Sequence, residues 1–517
     1  MPVKGYTTHF CQDIKWLIRK DAPPFIEENL IPAISSSSFY EQNEPIKKGT
    51  RKSIWLFILP GGQKGEEYLI KRYLSTAPLT RLKNSITSSK AVRELKAAHA
   101  IAEKDIPTVT PLAVGEKGRW GMVSQGYVVL EKLKNCRDLN NYFLKEYPAA
   151  QSHRKLPEKW KIIREFGILA RKVLNAGILQ SDFSLNNFLL TKETTGAIKL
   201  YLSDFEKISI KHTLAFDQKV RCLAKLNRVG REISASDRLR FLKSYLAENG
   251  SKQKVSSFAR TIQERTVEIL KNDSIRGRIT SVYTDALYER IEQNDIRGHY
   301  RKGYAVNEIL DIIRRFDLSA KSLPSATVKH KEEIHMKLTC DGKVQPLKVV
   351  RYIPHLKTTS ARTLWTKMST LSMGGIPLDI PHVFLEMKVK SNQEGYLFIP
   401  ERENEVPLGE FLKPSLGEKE LSLLINLLVK LMTKLHYFGT FSDTISENDF
   451  SVVEKTEGPS IYLKNCEPFT IKKEVSLSEK KRDVAVLNAL IKKHYPTMTY
   501  DLTRRYFEQG TILIKKS

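Results

Sequence analysis

The stretch ILQSDFSLNNFLL (178–190), continued by LYLSDFEKI (200–208), decides the fold class of this chain. A helix is predicted before it, because apolar residues recur at spacings of four, three and four and so share one helical face: Ile162, Phe166, Leu169 and Val173. Pro157 suits the first turn of that helix, and Gly177 ends it. The Asp- and Asn-rich turn of the quoted stretch therefore lies between a long amphipathic helix and an apolar strand.

Three polar side chains of this stretch form a pattern: an Asp, an Asn five residues later, and a second Asp at the end of an apolar strand. This pattern matches the catalytic centre of kinase-like folds. Phosphoryl transfer from ATP requires a carboxylate beside the acceptor hydroxyl, which we assign to Asp182. It also requires oxygen ligands for Mg²⁺, which we assign to Asn187 and Asp204. The alternative is two surface turns rich in Asp and Asn, which the placement between helix and strand disfavours.

A basic and an acidic residue upstream extend the predicted site. The segments SIWLFIL (53–59) and EYLIKRYL (67–74) flank a Gly-Gly turn, which predicts a hairpin. Lys71, in the second strand, is predicted to act in catalysis by binding the α- and β-phosphates of ATP. Glu94, in the helical stretch that follows, is predicted to pair with this lysine and hold it in place.

Backbone groups are expected to complete the nucleotide site. The strand YVVLEKL (127–133) leads into a segment whose backbone near Glu131 and Leu133 is predicted to hold adenine. Gly49, in KKGTRKS, is the only glycine in a plausible phosphate-covering turn, and no G-x-G-x-x-G motif is present.

The second half of the chain repeats the order of the first. Four short matches recur in sequence: DIPTVTP (105–111) with GIPLDIP (375–381), YVVLEK (127–132) with YLFIPE (396–401), LNAGILQSD (174–182) with HYFGTFSD (436–443), and YLSDFEKISI (201–210) with YLKNCEPFTI (462–471). This repetition and the length of 517 residues predict two domains, 1–272 and 273–517. The predicted fold class is α+β, with two tandem protein-kinase-like bilobal domains. Each has a small antiparallel sheet with one helix, followed by a mostly helical lobe.

Composition narrows the range of partners and compartments. Lys and Arg number 85 against 58 acidic residues, a formal net charge of +27, so the surface attracts polyanions. The basic residues are spread along the chain with no arginine-rich arm, which makes nucleic acid an unlikely partner. Five dispersed cysteines fit a reducing cytoplasm. We find no signal peptide and no transmembrane segment, so any membrane contact is expected to be peripheral.

At this point a family resemblance is evident. The first domain resembles the lipopolysaccharide kinases, which phosphorylate Kdo or heptose sugars of the inner core and belong to the protein-kinase-like superfamily. The resemblance is carried by LIKRY, by the glutamate before DIPTVTPLAVGE, by SDFSLNNFLL and by LSDFEK, and it covers most of residues 40–250. It implies an ATP- and Mg²⁺-dependent phosphotransferase whose acceptor is an anionic glycolipid or sugar.

Three departures from the kinase pattern are visible. Gln180 and Ser181 replace the usual His-Gly or His-Arg before the catalytic Asp, which is expected to loosen the loop. The glycine-rich loop is reduced to Gly49. Glu206 stands where the glycine of D-F-G is usual, so the switching of regulated protein kinases is not expected.

The second copy lacks much of the site. By the offsets of the matches, Asp182 and Asn187 correspond to Asp443 and Asn448. The other three site residues correspond to apolar or amide residues, namely Val350, Leu364 and Asn465. Lys348, on the same strand face as Val350, is an alternative cation. We interpret the second domain as a pseudokinase.

The leading functional hypothesis is a cytoplasmic kinase, acting at the inner face of the inner membrane on an inner-core sugar hydroxyl. A second hypothesis keeps the chemistry and changes the acceptor to a protein or small-molecule hydroxyl. A third is a binding protein in which both kinase-like domains are inactive. The predicted set of a lysine, a glutamate, two aspartates and an asparagine speaks against the third.

Overall fold

A computed structural model of the chain describes residues 3–47, 49, 52–59, 66–75, 77, 87–119, 122–146, 156–193, 196–229, 233–247, 252–277, 287–293, 295–321, 331–353, 360–389, 392–413, 416–454, 456, 458–496 and 501–508. The chain divides into two compact units. The first comprises residues 1–226 and 235–259, and the second comprises residues 227–234 and 260–517. The domains 1–272 and 273–517 stay a prediction.

The first unit opens with an antiparallel sheet of six strands. In spatial order these are Tyr6–Cys11, Ile14–Arg19, Ala113–Arg119, Met122–Glu131, Glu67–Leu74 and Lys52–Ile58. The predicted strands 53–59, 67–74 and 127–133 are thus confirmed as strands, and the first two pair as a hairpin. The predicted Gly61-Gly62 turn lies outside the described residues.

The strand Glu67–Leu74 alternates between the two faces of this sheet. Tyr68 and Ile70 belong to the apolar cluster on one face, and Tyr73 belongs to the cluster on the other. Because successive side chains point to opposite faces, Lys71 lies on the same face as Tyr73. The helix Lys90–Ala102 packs its apolar residues into that second cluster. Lys71 therefore faces this helix.

The sheet also carries a helical segment that the sequence analysis missed. The prediction of one helix beside the sheet was incomplete, because residues 26–42 form the short helices Ile26–Leu30, Ile31–Ser35 and Ser37–Gln42. Ile26, Leu30 and Ile34 are fully buried in the cluster that contains Trp16, Trp55 and Ile70. The spacing of four between these apolar residues was the available signal.

The remainder of the first unit is mostly helical. Its main helices are Leu156–Asn175, Phe216–Leu226, Ala235–Leu246 and Lys252–Ile275, of which the last continues into the second unit. A three-stranded sheet has the order Ile198–Leu202, Phe188–Lys192 and Arg137–Asp138, and Ile178–Gln180 pairs with Ile208–Ile210. The one-turn helices Leu139–Asn141, Tyr142–Glu146, Leu185–Asn187 and Phe205–Lys207 connect these elements.

The second unit has the same three sheets in the same order. Its six-stranded sheet runs Tyr288–Gln293, Ile296–Arg301, Val383–Val389, Asn392–Pro400, Lys343–Tyr352 and Lys331–Cys340. Its small sheets are Glu405–Pro407, Phe450–Val453 and Ser460–Leu463, and Thr440–Ser442 with Phe469–Ile471. Its helices are Val306–Lys321, Ala361–Met373, Leu408–Phe411, Glu418–Tyr437, Glu447–Asp449 and Leu477–His494.

Strand register fixes which residues of the two units correspond. Lys71 pairs with Val128, and Val350 pairs with Leu397, each two positions after the glycine of G-Y-V-V or G-Y-L-F. A Cβ on Gly126 would contact Ala91, and a Cβ on Gly395 would contact Ala361. The correspondence of Lys71 with Val350, and of Glu94 with Leu364, therefore holds in the two folds.

The register of the later loop differs from the sequence alignment by one residue. Gly177 and Gly439 have φ of 78° and 77° and precede equivalent strands. Counting from them, Asp182 corresponds to Thr444 and Asn187 to Asp449. The equivalence of Asp182 and Asn187 with Asp443 and Asn448 was wrong, because HYFGTFSD is one residue shorter than LNAGILQSD and the sequence match hid the gap.

Nothing in the described part of the chain forms a helix long and apolar enough to cross a bilayer.

We expect Gly177→Ala to destabilise the first unit strongly. Its φ of +78° is left-handed, which costs a non-glycine residue about 1–2 kcal/mol, and an added Cβ would lie 1.9 Å from the carbonyl oxygen of Lys211. Gly196→Ala is the matched control: φ is also +78°, but no described atom lies within 4 Å of the added Cβ. In urea unfolding, the free energy of unfolding should fall by at least about 1 kcal/mol more for Gly177→Ala than for Gly196→Ala. Equal losses would contradict this account.

Candidate active site

A buried ion pair joins the sheet of the first unit to its helix. The side-chain oxygen of Ser89 accepts a hydrogen bond from the Val92 backbone N–H and so fixes where the helix Lys90–Ala102 begins. Glu94, one turn further on, is 1% exposed and lies 2.5 Å from Lys71 Nζ. Tyr73 donates its hydroxyl hydrogen to the other oxygen of Glu94 at 2.6 Å. Both oxygens of the buried carboxylate are therefore satisfied.

The charge of Lys71 depends on its neighbours. Burial alone would lower the pKa of Lys71, but the carboxylates of Glu94, Asp204 and Glu206 outweigh it and raise that pKa above 10.5. The Tyr73 hydroxyl has a raised pKa because of burial and the adjacent Glu94 carboxylate, so it stays a donor. Lys71 is thus a fixed, permanent cation facing Asp204.

The loop after the strand Ile178–Gln180 presents Asp182. Phe183 is fully buried and packs edge-on against Phe188 at a ring distance of 5.2 Å, which anchors the loop, while Asp182 is exposed. Asn187 ends a one-turn helix, and its amide donates to the Asp182 carbonyl at 2.5 Å. The structure therefore joins the two loop residues through the backbone, and leaves the Asp182 carboxylate accessible to a substrate.

Asp204 lies at the end of the strand Ile198–Leu202, in the left-handed region with φ of 56°. The preceding residue, Ser203, donates its backbone N–H to the Asn187 carbonyl at 2.8 Å, so the two loops are tied together. Burial would raise the pKa of the Asp204 carboxyl, but Lys71 and Lys52 outweigh it and lower that pKa below 3.8. Asp204 is an ionised carboxylate with two cations beside it.

Gln180 contributes to the site in a way that sequence reasoning missed. Its side chain is 1% exposed, and its amide nitrogen donates to the carbonyls of Ser203 and Asp204 at 3.1 Å and 2.7 Å. The expectation that Gln180-Ser181 loosens the loop is therefore wrong, because this residue links the two loops. Its Oε1 has no hydrogen-bond partner among the described residues.

A second group of charges surrounds Asp204. Lys52 Nζ lies 3.3 Å from Asp204 and 3.7 Å from Glu206, and Lys90 Nζ lies 2.6 Å from Glu206. Sequence reasoning missed both lysines. Near the start of a strand and of a helix they look like solvated surface charges, and their partners are more than 100 residues away in sequence.

The residues predicted to hold the rest of a nucleotide belong to the same sheet or lie next to it, and within the described part of the chain no hydrogen bond joins their side chains to the charged cluster. Glu131 ends the strand Met122–Glu131 next to Lys71's strand, and Leu133 follows, partly buried. Gly49 precedes the first strand of the hairpin, where an added Cβ would lie 2.8 Å from the carbonyl oxygen of Lys52. Gly49 therefore lies close to the backbone of Lys52.

The donor set suits a small hard cation. Asp204 offers an ionised carboxylate and Asn187 an amide oxygen, and the two belong to loops that hydrogen-bond to each other. Mg²⁺ commonly takes one or two such protein oxygens and completes its shell with water and phosphate. The ammonium group of Lys52, 3.3 Å and 3.4 Å from the Asp204 oxygens, shows that this position accepts a positive charge.

Removing one partner of the buried pair should destabilise the first unit. Glu94→Ala leaves the Lys71 ammonium buried without its nearest counter-ion and should cost about 3–5 kcal/mol in urea unfolding. Lys117→Ala is the control, because Lys117 and its partner Asp13 are 34% and 60% exposed and their pair should contribute less than about 1 kcal/mol. A loss for Glu94→Ala no larger than that of the control would rule out the structural importance of the pair.

The direction of two pKa shifts predicts a pH profile. The lowered pKa of Asp204 contributes stability that is present above about pH 3.8 and is lost as the pH falls through the pKa of Asp204 in the folded protein. The raised pKa of Lys71 contributes stability that is present below about pH 10.5 and is lost as the pH rises through the pKa of Lys71 in the folded protein. The stability difference between the wild type and Asp204→Asn, followed by thermal unfolding, should therefore stay constant from about pH 5 to 9. It should shrink in acid as Asp204 is protonated, and in alkali only as Lys71 loses its proton. A change centred near neutral pH would contradict this assignment.

The part of the chain that contains this site is similar to a known protein family. Residues 42–245 match the model of the lipopolysaccharide kinase (Kdo/WaaP) family, a range that includes every residue predicted for the site. Among solved structures, "WaaP in complex with acyl carrier protein" aligns with 16% sequence identity and a TM-score of 0.35, covering 48% of this chain and 98% of that one. No curated protein sequence matches the chain. Residues 42–245, less than half of the chain, are therefore similar to the lipopolysaccharide kinase (Kdo/WaaP) family.

Proposed function

We propose that the first unit transfers the γ-phosphoryl group of ATP, in the presence of Mg²⁺, to a sugar hydroxyl of the lipopolysaccharide inner core, on Kdo or heptose. The observation that carries this proposal is the cluster in which the buried Lys71–Glu94 pair faces an ionised Asp204. The family match supports the acceptor class. The protein-acceptor alternative has no observation of its own in the described residues.

In this proposal each residue of the chain has a defined part. Lys71, held by Glu94, offsets negative charge on the α- and β-phosphates. Asp182 orients the acceptor hydroxyl and takes its proton while the acceptor oxygen bonds to the γ-phosphorus and the bond to the ADP oxygen breaks. The exposed position of Asp182 at a loop anchored by Phe183 is suited to this, because a large acceptor must reach the carboxylate.

Asn187 and Asp204 would hold the metal. When bound, Mg²⁺ offsets charge on the triphosphate and helps align it. Gln180 keeps the Asp204 backbone in place, and so fixes the direction in which the carboxylate points. Gly49 and the backbone near Glu131 and Leu133 would complete the nucleotide site, as in the kinase pattern.

The charge of the chain supports an anionic acceptor. A formal net charge of +27 attracts carboxylated and phosphorylated glycolipids as well as anionic membrane surfaces. We therefore propose that the protein works in the cytoplasm, in peripheral contact with the inner face of the inner membrane, where such an acceptor is presented.

We further propose that the second unit is a duplicated, non-catalytic copy. Val350 and Leu364 replace the buried ion pair, and both are almost fully buried. Lys348 is not a simple substitute, since its Nζ lies 3.7 Å from Glu333 on the neighbouring strand. The second unit therefore has no equivalent of the fixed cation of the first at this position.

At the two positions that would hold the metal, the second unit has the amide and the carboxylate in exchanged places, and these two side chains are hydrogen-bonded to each other. Where the first unit has Asn187 and Asp204, the second has Asp449 and Asn465. The Asn465 amide donates to Asp449 at 2.8 Å, and Ser446 donates to the other carboxylate oxygen through its backbone N–H and its hydroxyl. Burial raises the pKa of the Asp449 carboxyl, which weakens it further as a metal ligand.

A buried lysine also fixes the segment after Asn465. Lys367, on the helix Ala361–Met373, is 9% exposed and donates to the carbonyls of Cys466, Glu467 and Phe469. These bonds hold the segment that would have to accommodate a metal-bound nucleotide. Arg482 also pairs with Asp443, the only acidic residue of the loop between Thr440 and Ser446.

Asp182→Ala should abolish transfer to an inner-core acceptor while ATP still binds, because the carboxylate positions the acceptor and takes its proton rather than holding the nucleotide. The loss in kcat should be at least about a hundredfold. The control is Asp443→Ala in the second unit, which should change kcat little. Radiolabelled phosphate transfer and nucleotide binding by calorimetry, both on the full chain, would measure these effects.

Two results would overturn parts of the proposal. Full activity in Asp182→Ala would remove this residue from the site. A loss in Asp443→Ala as large as that in Asp182→Ala would mean that the second unit takes part in catalysis.

A further inference from the structure

Lys52 lies beside Asp204, and the proposed mechanism gives it no role. It lies at the start of the strand Lys52–Ile58, close to Gly49, and opposite Tyr73 in the hairpin register. Its Nζ is 3.3 Å from Asp204, 3.7 Å from Glu206 and 5.6 Å from the centre of the Tyr73 ring. Its side chain is 24% exposed, so the ammonium group is partly accessible to a ligand.

Glu206 forms a second ion pair with this lysine. The glutamate is 16% exposed and is itself held by Lys90 at 2.6 Å, at the start of the helix that also carries Glu94. Glu206 replaces the glycine of D-F-G, so this restraint is a departure from the common kinase pattern. Lys52 is thus attached to the helix through Glu206 and Lys90.

The same lysine recurs in the second unit without the rest of the site. Lys331 pairs with Tyr352 in the strand register, as Lys52 pairs with Tyr73. Its Nζ lies 2.7 Å from Glu467, the counterpart of Glu206, and 6.0 Å from the Tyr352 ring. The counterpart of Asp204 is here an asparagine. Lys331 also pairs with Glu333 at 2.9 Å, so the lysine–glutamate pair is present in the second unit without an aspartate at the position of Asp204.

We propose that Lys52 is a second phosphate-binding cation of the first unit. In the structure Lys52 pairs with the Asp204 carboxylate. With Mg²⁺ held by Asn187 and Asp204, Lys52 would instead pair with the terminal phosphates of the nucleotide. This inference rests on the proposed ATP-dependent function and adds to it a residue that discriminates nucleotides by the length of the phosphate chain.

The charges of the cluster support this exchange. Lys52, Lys71 and Lys90 face Glu94, Asp204 and Glu206, so positive and negative groups are equal in number. A divalent metal offsets only part of the charge of a triphosphate. The negative charge that remains on the phosphates attracts nearby cations. Lys71 is held by the buried carboxylate of Glu94, whereas Lys52 is not held by a buried group and can therefore move to the phosphates.

The test compares nucleotides in the full chain. In the presence of Mg²⁺, Lys52→Met should weaken ATP binding about ten- to a hundredfold, as expected for loss of one charge-assisted hydrogen bond. Adenosine binding should be unchanged, and ADP should fall between the two. Lys199→Met is the matched control: this lysine of the first unit is exposed and pairs with Glu193 at the surface, so it should alter none of the three affinities. Calorimetry or equilibrium dialysis would measure them.

A charge-retaining variant separates the role of the charge from that of folding. Lys52→Arg should keep most of the ATP affinity, because a guanidinium also pairs with phosphate. If Lys52→Met and Lys52→Arg lose ATP affinity equally, or if Lys52→Met loses ATP and adenosine by the same factor, the phosphate-binding role is excluded. Unchanged ATP binding in Lys52→Met would exclude it too.

The same experiment distinguishes this inference from the proposed function. If the wild type binds no ATP with Mg²⁺, the proposed function itself fails. If the wild type binds ATP and Lys52→Met binds it equally well, only the inference about Lys52 fails.

Discussion

The buried ion pair between Lys71 and Glu94 is the interaction on which the rest of the site depends. Neither charge would be stable at this depth without the other, so strand and helix must pack in one register. Burial would raise the pKa of the Asp204 carboxyl, but Lys71 together with Lys52 outweighs it and lowers that pKa. A contact inside the sheet-bearing part of the unit thus influences the titration of a loop residue more than 100 positions later in sequence.

The sequence identified only part of this cluster: Lys71, Glu94 and Asp204 were singled out and lie together in the structure, and their catalytic roles stay predictions. Lys71 and Asp204 each lie in or next to a short apolar strand, and such strands are recognisable from a few residues. Lys52 and Gln180 could not be found in this way, because what makes them notable is a partner far away in the chain. A lysine at a strand end and a glutamine before a polar turn are ordinary residues until the tertiary contacts are known.

The second unit shows the limit of alignment by short matches. Strands with a clear register, such as the one that contains Val350, were placed correctly. The loop after Gly439 was placed one residue off, because an aspartate happens to follow the serine in both copies. Backbone conformation resolved the difference: a left-handed glycine, a short strand and a one-turn helix recur at a constant spacing, and they make Thr444 the counterpart of Asp182.

The exchange of amide and carboxylate at Asp449 and Asn465 limits what a single substitution can do. Installing the donor set of the first unit takes two substitutions. Changing Asp449 alone to Asn leaves two amides and no charge for a metal. Changing Asn465 alone to Asp sets a second carboxylate at hydrogen-bonding distance from the buried Asp449, where like charges repel. Each single change is unfavourable, so a metal site of this kind can be engineered into the second unit only by making both changes together.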